Sequence, residues 1–317
     1  RGDIEQIEGM AAEGSWRPQA VALFSCSGRG FFEQVTLPRS LLERIVVDAT
    51  PWTRPMLAVL DEYHRSVVVV LDRGKAWFWQ LFQDELQEMD TVRDPVLRKP
   101  NYAGWHGLDE YRVSDKAGEL EKQHFRRVAE TLVSLTLSGT YDLAIVGGHP
   151  ELTARFVEYL PKSLRTRVAG QLAVDPNTMT AADVRDRAGT ILEDFERQEE
   201  RTLVAEVMDR AAEGRLGATG LDDCLWAGSV AAVQQLLVHD ETVVPGVVCD
   251  TCGWLGRDAE TCPVSGDDTR QAQDVIDELA ASVIDRGGSV EHVFADTPLR
   301  EHGMAAALRF PLPAPPS

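Results

Sequence analysis

Cys249-Asp-Thr-Cys252 and Cys262-Pro-Val-Ser265 put three thiols and a hydroxyl on two short knuckles. Two Cys-x-x-Cys turns close together are the layout of a zinc ribbon, in which four thiolates close a tetrahedron around the ion and hold a loop that does not fold without it. Here the fourth corner is Ser265, whose hydroxyl is a poor zinc ligand at neutral pH. Two states are expected: zinc on Cys249, Cys252 and Cys262 with water or Asp267 completing the shell, or metal-free knuckles held by the surrounding domain. Three thiolates leave little Lewis acidity, so a catalytic zinc is not expected.

A second group of residues is built for contact with nucleic acid. Residues 93–112 are rich in Pro, Gly and aromatics and show neither helical nor strand period. Loops of that length inside a domain are usually functional or disordered. Tyr102 and Trp105 can stack on bases, and His106 and Arg112 can meet phosphates. The competing reading makes Trp105 a lid on its own domain. Lys116, Lys122, Arg126 and Arg127 follow on a helix, where they either face RNA or form a solvated face with Glu119, Glu121 and Glu130. His124, on the same helix, reads as an interior histidine. Gly147-Gly148 reads as a tight strand-to-helix turn, because no Lys-Ser/Thr follows to make a phosphate loop.

These residues need elements to position them. A chain of 317 residues holds two or three domains. Strands are expected at 20–24, 31–35, 66–71, 75–82, 85–89, 142–146 and 168–174, with helices at 56–64, 114–137 and 149–160. Residues 1–18 show no clear period. Thr180 and Asp183 form a near capping box opening a long linking helix to about 213. The last third reads helix 220–228, strands 233–238 and 243–248, the ribbon 249–265, helix 269–286, and strands 289–294 and 304–310. That alternation implies a three-layer α/β/α domain. Asp222-Asp223 and Asp267-Asp268 read as charges at helix N-termini, and the Pro-rich end, 313–317, as a disordered tail.

Net charge is −19, unevenly spread: residues 214–317 carry 6 Lys/Arg against 16 Asp/Glu, residues 55–175 carry 15 against 18. An acidic last third argues against nucleic-acid binding by the whole surface and against DNA, and suits a protein partner. Any RNA contact falls to the middle. The apolar run 66–71 is too short for a membrane span, and no leader peptide is visible. The chain starts at Arg1, so further N-terminal sequence is expected, with 1–54 the remnant of an N-terminal domain. Five cysteines, three of them bunched, fit metal binding in a reducing cytoplasm, with Cys26 and Cys224 as small core residues.

The order Gly220-Leu-Asp-Asp-Cys-Leu, Cys249-x-x-Cys252, Cys262-Pro, Asp274-Val-Ile-Asp-Glu-Leu279, Gly287-Gly-Ser-Val-Glu-His292 and His302-Gly-Met-Ala-Ala-Ala-Leu-Arg-Phe310 resembles domain three of the archaeal and eukaryotic class-one peptide release factors and Pelota. Leu120-Glu-Lys-Gln-His-Phe-Arg-Arg-Val-Ala-Glu130 resembles the helix after the catalytic loop of their domain two, which Arg54-Pro-Met-Leu and Val67–Asp72 would open. The likeness is strongest to the bacterial branch, with its Balon-type hibernation factors and peptidyl-tRNA hydrolases. It implies an α/β multidomain chain: an RNase H-like domain two at 55–178, a linking helix at 179–213, and an α/β/α domain three at 214–312 with a degenerate zinc ribbon.

The resemblance also implies a tip loop carrying Gly-Gly-Gln, whose glycines let backbone approach the tRNA end while the glutamine positions water. This chain has Gly104 and Gly107 there and no glutamine; Glu110 stands nearest, as the one candidate general base. The expectation is therefore a cytoplasmic factor that binds the ribosomal RNA of the A site on idle or stalled ribosomes, with a translation GTPase as partner and without chemistry of its own. A peptidyl-tRNA hydrolase acting through Glu110 or through a residue of the expected further N-terminal sequence, or an adaptor away from the ribosome, are the alternatives.

Overall fold

A computed structural model describes residues 2–13, 20–37, 44–62, 64–83, 85–95, 108–239 and 242–315. In chain order the elements are α1 (Gly2–Glu13), β1 (Ala20–Cys26), β2 (Phe31–Leu37), α2 (Arg54–Glu62), β3 (Ser66–Leu71), β4 (Lys75–Phe82), β5 (Glu85–Arg93), α3 (Leu108–Leu137), β6 (Leu143–Gly148), α4 (Pro150–Tyr159), α5 (Lys162–Arg165), β7 (Val168–Ala173) and α6 (Ala181–Ala212). There follow β8 (Gly217–Thr219), α7 (Leu221–Ser229), β9 (Val233–His239), β10 (Gly246–Val248), β11 (Leu255–Gly256), β12 (Arg270–Ala272), α8 (Val275–Asp285), β13 (Ser289–Val293), α9 (Leu299–His302) and β14 (Met304–Leu308). They fall into two compact units, 63–196 and 1–62 with 197–317. Among the described residues no helix is long and apolar enough to cross a membrane.

In the unit 63–196, five strands lie in the order β5-β4-β3-β6-β7, with β3, β6 and β7 parallel and the β3–β4–β5 meander antiparallel. The central strand is buried on both faces, so Ser66-Val-Val-Val-Val-Leu71 is a continuous apolar run rather than an alternating one. Its period of two still sorts the side chains. Val67, Val69 and Leu71 pack with Phe125, Val128 and Leu132 of α3, while Val68 and Val70 pack with Val184 and Ala188 of α6. At the end of β6, Gly148 has φ +140, and a Cβ there would lie 2.5 Å from the Leu71 carbonyl oxygen, so this turn requires glycine. The start of α6 is a full capping box: the Asp183 N–H donates to Thr180 Oγ1 at 3.1 Å, and the Thr180 N–H donates back to Asp183 Oδ2 at 3.2 Å.

In the other unit, the sheet β13-β9-β14-β8 is sandwiched. Leu236, Val238, Met304 and Ala306 face α7 and α8; Leu237, Ala305 and Ala307 face Val204 and Val207 of α6 and Leu299 of α9. This is the three-layer α/β/α arrangement. Glu200 ties α6 to the sheet, accepting the N–H groups of Phe294 at 2.9 Å and Ala295 at 2.6 Å. Residues 48–54 lie against α8, held by buried acids: Arg54 Nη2 is 3.1 Å from Asp274 Oδ2, the Trp52 indole donates to Asp274 at 3.2 Å, and the Arg54 N–H donates to Asp277 at 2.8 Å.

Several expectations are corrected. Residues 2–13 form a helix, α1. The helix expected over 269–286 is shorter, because β12 pairs with β10 and Asp274 caps the helix proper by accepting from the Ile276 N–H. Asp267 and Asp268 lie in the ribbon, not at a helix N-terminus: the Asp267 carbonyl accepts the Cys262 N–H, and Asp268 bridges Thr261. Cys26 is exposed at the end of β1, whereas Cys224 is buried, which drives its thiol pKa up. The terminal segment is docked at its start, with the Trp226 indole donating to the Pro313 carbonyl at 2.7 Å and Leu312 packing on the α7–α8 core.

Candidate nucleic-acid interface and metal centre

The loop-bearing unit holds the first candidate site. Tyr102, Gly104, Trp105, His106 and Gly107 lie outside the described residues. The backbone of α3 starts at Leu108, earlier than its period predicts, so Glu110 and Arg112 sit on the first turns of a helix rather than on the loop. Downstream, Lys116, Lys122 and Arg126 are exposed. Lys122 and Arg126 are one turn apart and share a face. Arg126 Nε lies 3.4 Å from Glu130, a surface pair of little strength.

Arg127 differs from its neighbours: Nη1 lies 2.6 Å from Asp94 Oδ1, a carboxylate only 5% exposed. The other oxygen of Asp94 is 2.8 Å from Nδ1 of His124, itself 1% exposed. A carboxylate only accepts, so Nδ1 of the imidazole is the donor, and Nε2 is buried with no partner among the described residues. The Asp94 N–H in turn donates to the Gly74 carbonyl at 2.7 Å. Asp94 thus fastens the end of β5 to the middle of α3. His124 is the interior histidine its position suggested, and Arg127 is drawn from the RNA-facing set into this clamp. Sequence reasoning missed Asp94, since nothing in its own stretch reveals a partner thirty residues away. Asp94→Ala is expected to cost about 2–3 kcal/mol, because it leaves the buried His124 donor unsatisfied and removes the anchor that ties β5 to α3. Asp94→Asn, which keeps one acceptor, should cost less than half of that, and urea midpoints of the three proteins check it.

The second candidate is the ribbon, carried by the small sheet β11-β10-β12. Its two knuckles repeat each other bond for bond. The Gly253 N–H donates to the Cys249 carbonyl at 2.8 Å, and the Gly266 N–H to the Cys262 carbonyl at 2.9 Å. The Cys249 N–H donates to the Trp254 carbonyl at 2.9 Å, and the Cys262 N–H to the Asp267 carbonyl at 2.7 Å. Gly253 and Gly266 have φ of +75 and +80, the left-handed turn that glycine allows. By this correspondence Ser265 occupies the place of Cys252.

The donors converge. Sγ of Cys249, Cys252 and Cys262 lie within 4.8 Å of one another, with Cys252 and Cys262 at 3.5 Å. Ser265 Oγ is 3.3 Å from Cys249 Sγ. A tetrahedral zinc with Zn–S near 2.3 Å and Zn–O near 2.0 Å has S···S edges of roughly 3.8 Å and an S···O edge of roughly 3.5 Å. The set therefore fits zinc. Hydrogen bonds also favour the charged sulfurs. The Ser265 hydroxyl, then the Cys252 N–H, lower the Cys249 pKa. Burial acts to raise Cys262, yet the N–H of Ser265 leads the hydrogen bonds that bring it down to about 7. Burial raises Cys252. Asp267 is not among the converging donors.

Comparison with known proteins bears on both units. Residues 51–200 match the model of the bacterial archaeo-eukaryotic release factor family 10. No curated protein matches the sequence. Among solved structures, archaeal Pelota, from a model of ribosome-bound Pelota and ABCE1, is 19% identical with a TM-score of 0.50, over 90% of this chain and 73% of that one. Dom34 of S. cerevisiae, described as a translation termination-like factor interacting with Hbs1, is 12% identical with a TM-score of 0.50, over 90% of this chain and 75% of that one. Archaeoglobus fulgidus Pelota is 20% identical, with a TM-score of 0.40, over 82% of this chain and 69% of that one. At these identities the likeness is one of fold.

Proposed function

This chain, through residues 51–200, is a member of the bacterial branch of the Pelota and archaeo-eukaryotic release-factor superfamily, and from that premise we propose that it is a cytoplasmic, ribosome-associated factor of the rescue or hibernation type. Its loop-bearing unit reaches RNA in the A site of idle or stalled ribosomes. Its acidic C-terminal unit meets a protein partner, as Dom34 is described as interacting with Hbs1, and the resemblance read from the sequence makes a translation GTPase the candidate. Zinc in the ribbon is structural, on Cys249, Cys252 and Cys262.

One observation carries the reading. The family match covers the unit in which the resemblance implies a Gly-Gly-Gln tip loop, yet no Gly-Gly-Gln stands between β5 and α3. What remains there is equipment for contact: Tyr102, Trp105, His106 and Arg112 in sequence, and exposed Lys116, Lys122 and Arg126 on α3. A positively charged helix and stacking aromatics bind RNA without chemistry. Glu110, the one candidate base, is on helical backbone.

The test is to pellet 70S ribosomes through sucrose with the protein, comparing idle ribosomes with ones carrying peptidyl-tRNA, and to assay released peptide in the same tubes. Co-pelleting without release is expected, with binding lost on Trp105→Ala or Arg112→Ala. Release abolished by Glu110→Ala would make the protein a peptidyl-tRNA hydrolase. Absence from the pellet at low salt would overturn the ribosomal reading.

A further inference from the structure

We propose that the ribbon is an exchangeable, oxidant-opened zinc site: Ser265 makes the fourth corner weak, and the Cys252–Cys262 edge closes as a disulfide when the ion leaves. The inference rests on the zinc of the preceding reading and is independent of its ribosomal part.

The oxygen corner follows from the repeat of the two knuckles. Both backbone bonds that close the first knuckle are present in the second, and at the two ligand positions the one change is sulfur to hydroxyl at Ser265. A neutral alcohol is a poorer donor to a soft-binding ion than a thiolate. It is also already engaged in the protein, accepting the Asp267 N–H at 3.3 Å. The ion is therefore held on one face by three sulfurs, and the oxygen face is where exchange begins.

The same substitution selects a single disulfide. Cys249 has the hydroxyl of Ser265 at 3.3 Å, a partner that cannot form a sulfur–sulfur bond, although its sulfur lies within 4.8 Å of the other two. Cys252 and Cys262 have each other at 3.5 Å, and closing to a bond length near 2.05 Å needs roughly 1.5 Å of approach. Access orders the events. Cys252 is half-exposed, whereas Cys249 and Cys262 are buried. A peroxide therefore meets Cys252 first.

The balance is that of a two-electron oxidation. The Cys252 sulfur attacks one peroxide oxygen, the O–O bond breaks, and one water leaves as a sulfenic acid forms on Cys252. The Cys262 sulfur then attacks the Cys252 sulfur, the S–O bond breaks, and a second water leaves. From the zinc-bound state, two thiolates, one hydrogen peroxide and two protons taken from solvent give one disulfide and two waters. The ion, deprived of two of its sulfurs, goes to solvent, and Cys249 keeps its thiol. A dithiol reductant reverses the oxidation. Val248, Leu255 and Ala272 of the ribbon's sheet belong to the α7–α8 core, so the opening is confined to the loops between them.

The test uses the full chain, loaded with zinc under reducing conditions and freed of excess metal and reductant. Metal is counted by elemental mass spectrometry, its release by hydrogen peroxide is followed with a coloured zinc chelator, and the disulfide is mapped by peptide mass. One bound zinc is expected, released by peroxide together with a Cys252–Cys262 linkage and a free Cys249. Ser265→Cys should slow release by about tenfold or more. A chain that takes up no zinc, keeps it under peroxide, or links Cys249 instead overturns the proposal, as does a Ser265→Cys protein that releases at the wild-type rate. If that variant does not fold, the wild-type metal count and disulfide map decide alone.

Discussion

Arg54→Met lowers the stability of the unit formed by 1–62 and 197–317 by about 3–5 kcal/mol at pH 8, the cost of removing one partner from a buried ion pair. Arg54 is 3% exposed, and the two acids it serves, Asp274 and Asp277, are 4% and 7% exposed. Methionine fills much of the volume, so the loss isolates the charge rather than a cavity. Asp277 is already under strain: burial first, then the charge of Asp274, raises its pKa to about 6 even against the hydrogen bonds it accepts. Because this folded-state pKa lies above the unfolded value of 3.8, the native state binds the extra proton. The Asp277 contribution is thus fully present below pH 3.8 and is lost as pH rises through about 6. Removing the arginine charge pushes the carboxyl further up, so the variant should recover part of its deficit on going from pH 8 to pH 5.5. Urea unfolding at the two pH values checks this; an equal deficit at both would mean that shape, not charge, is what Arg54 supplies.

That cluster also shows where the sequence stopped being readable. Asp274 and Asp277 are visible inside an expected helix, and Arg54 at the opening of the domain-two-like stretch, but their pairing spans more than two hundred residues and has no local signature. Asp94 and His124 are the same case at shorter range. What could be read was periodic or chemical: the all-apolar β3, the Thr180–Asp183 box and the cysteine knuckles each state their structure within a few residues. The errors came where tertiary pairing overrode local pattern. Residues 270–272 look helical in continuity with α8, yet the ribbon's sheet claims them as a strand through β10. The Pro-rich segment read as disordered from 313 is held at its start because the Trp226 indole needs an acceptor, which Pro313 supplies, and Leu312 has a core to join. A pattern of prolines says only that a segment is extended; what it lies on is decided elsewhere in the chain.

Reversing Lys122 and Arg126 together to glutamate is expected to cost about tenfold or more in ribosome affinity at 100 mM salt and to flatten its salt dependence. The side chains share one face of α3, are exposed, and lie outside the Asp94 clamp. Arg126 has only a 3.4 Å surface partner to give up. If both meet phosphates, each releases roughly one counterion on binding, and the slope of log K against log salt falls by about two when both are lost. The control is built into the same helix. Arg127 spends its charge on buried Asp94, so Arg127→Gln should lower stability while leaving the salt slope nearly unchanged. The opposing view, that α3 simply presents a solvated mixed-charge face with Glu119 and Glu130, predicts that the double reversal changes neither affinity nor slope. Sedimentation binding at three or four salt concentrations separates the two, because a generally destabilised protein loses active fraction without altering slope. A slope that falls only for the double reversal identifies α3 as the face that lies against RNA.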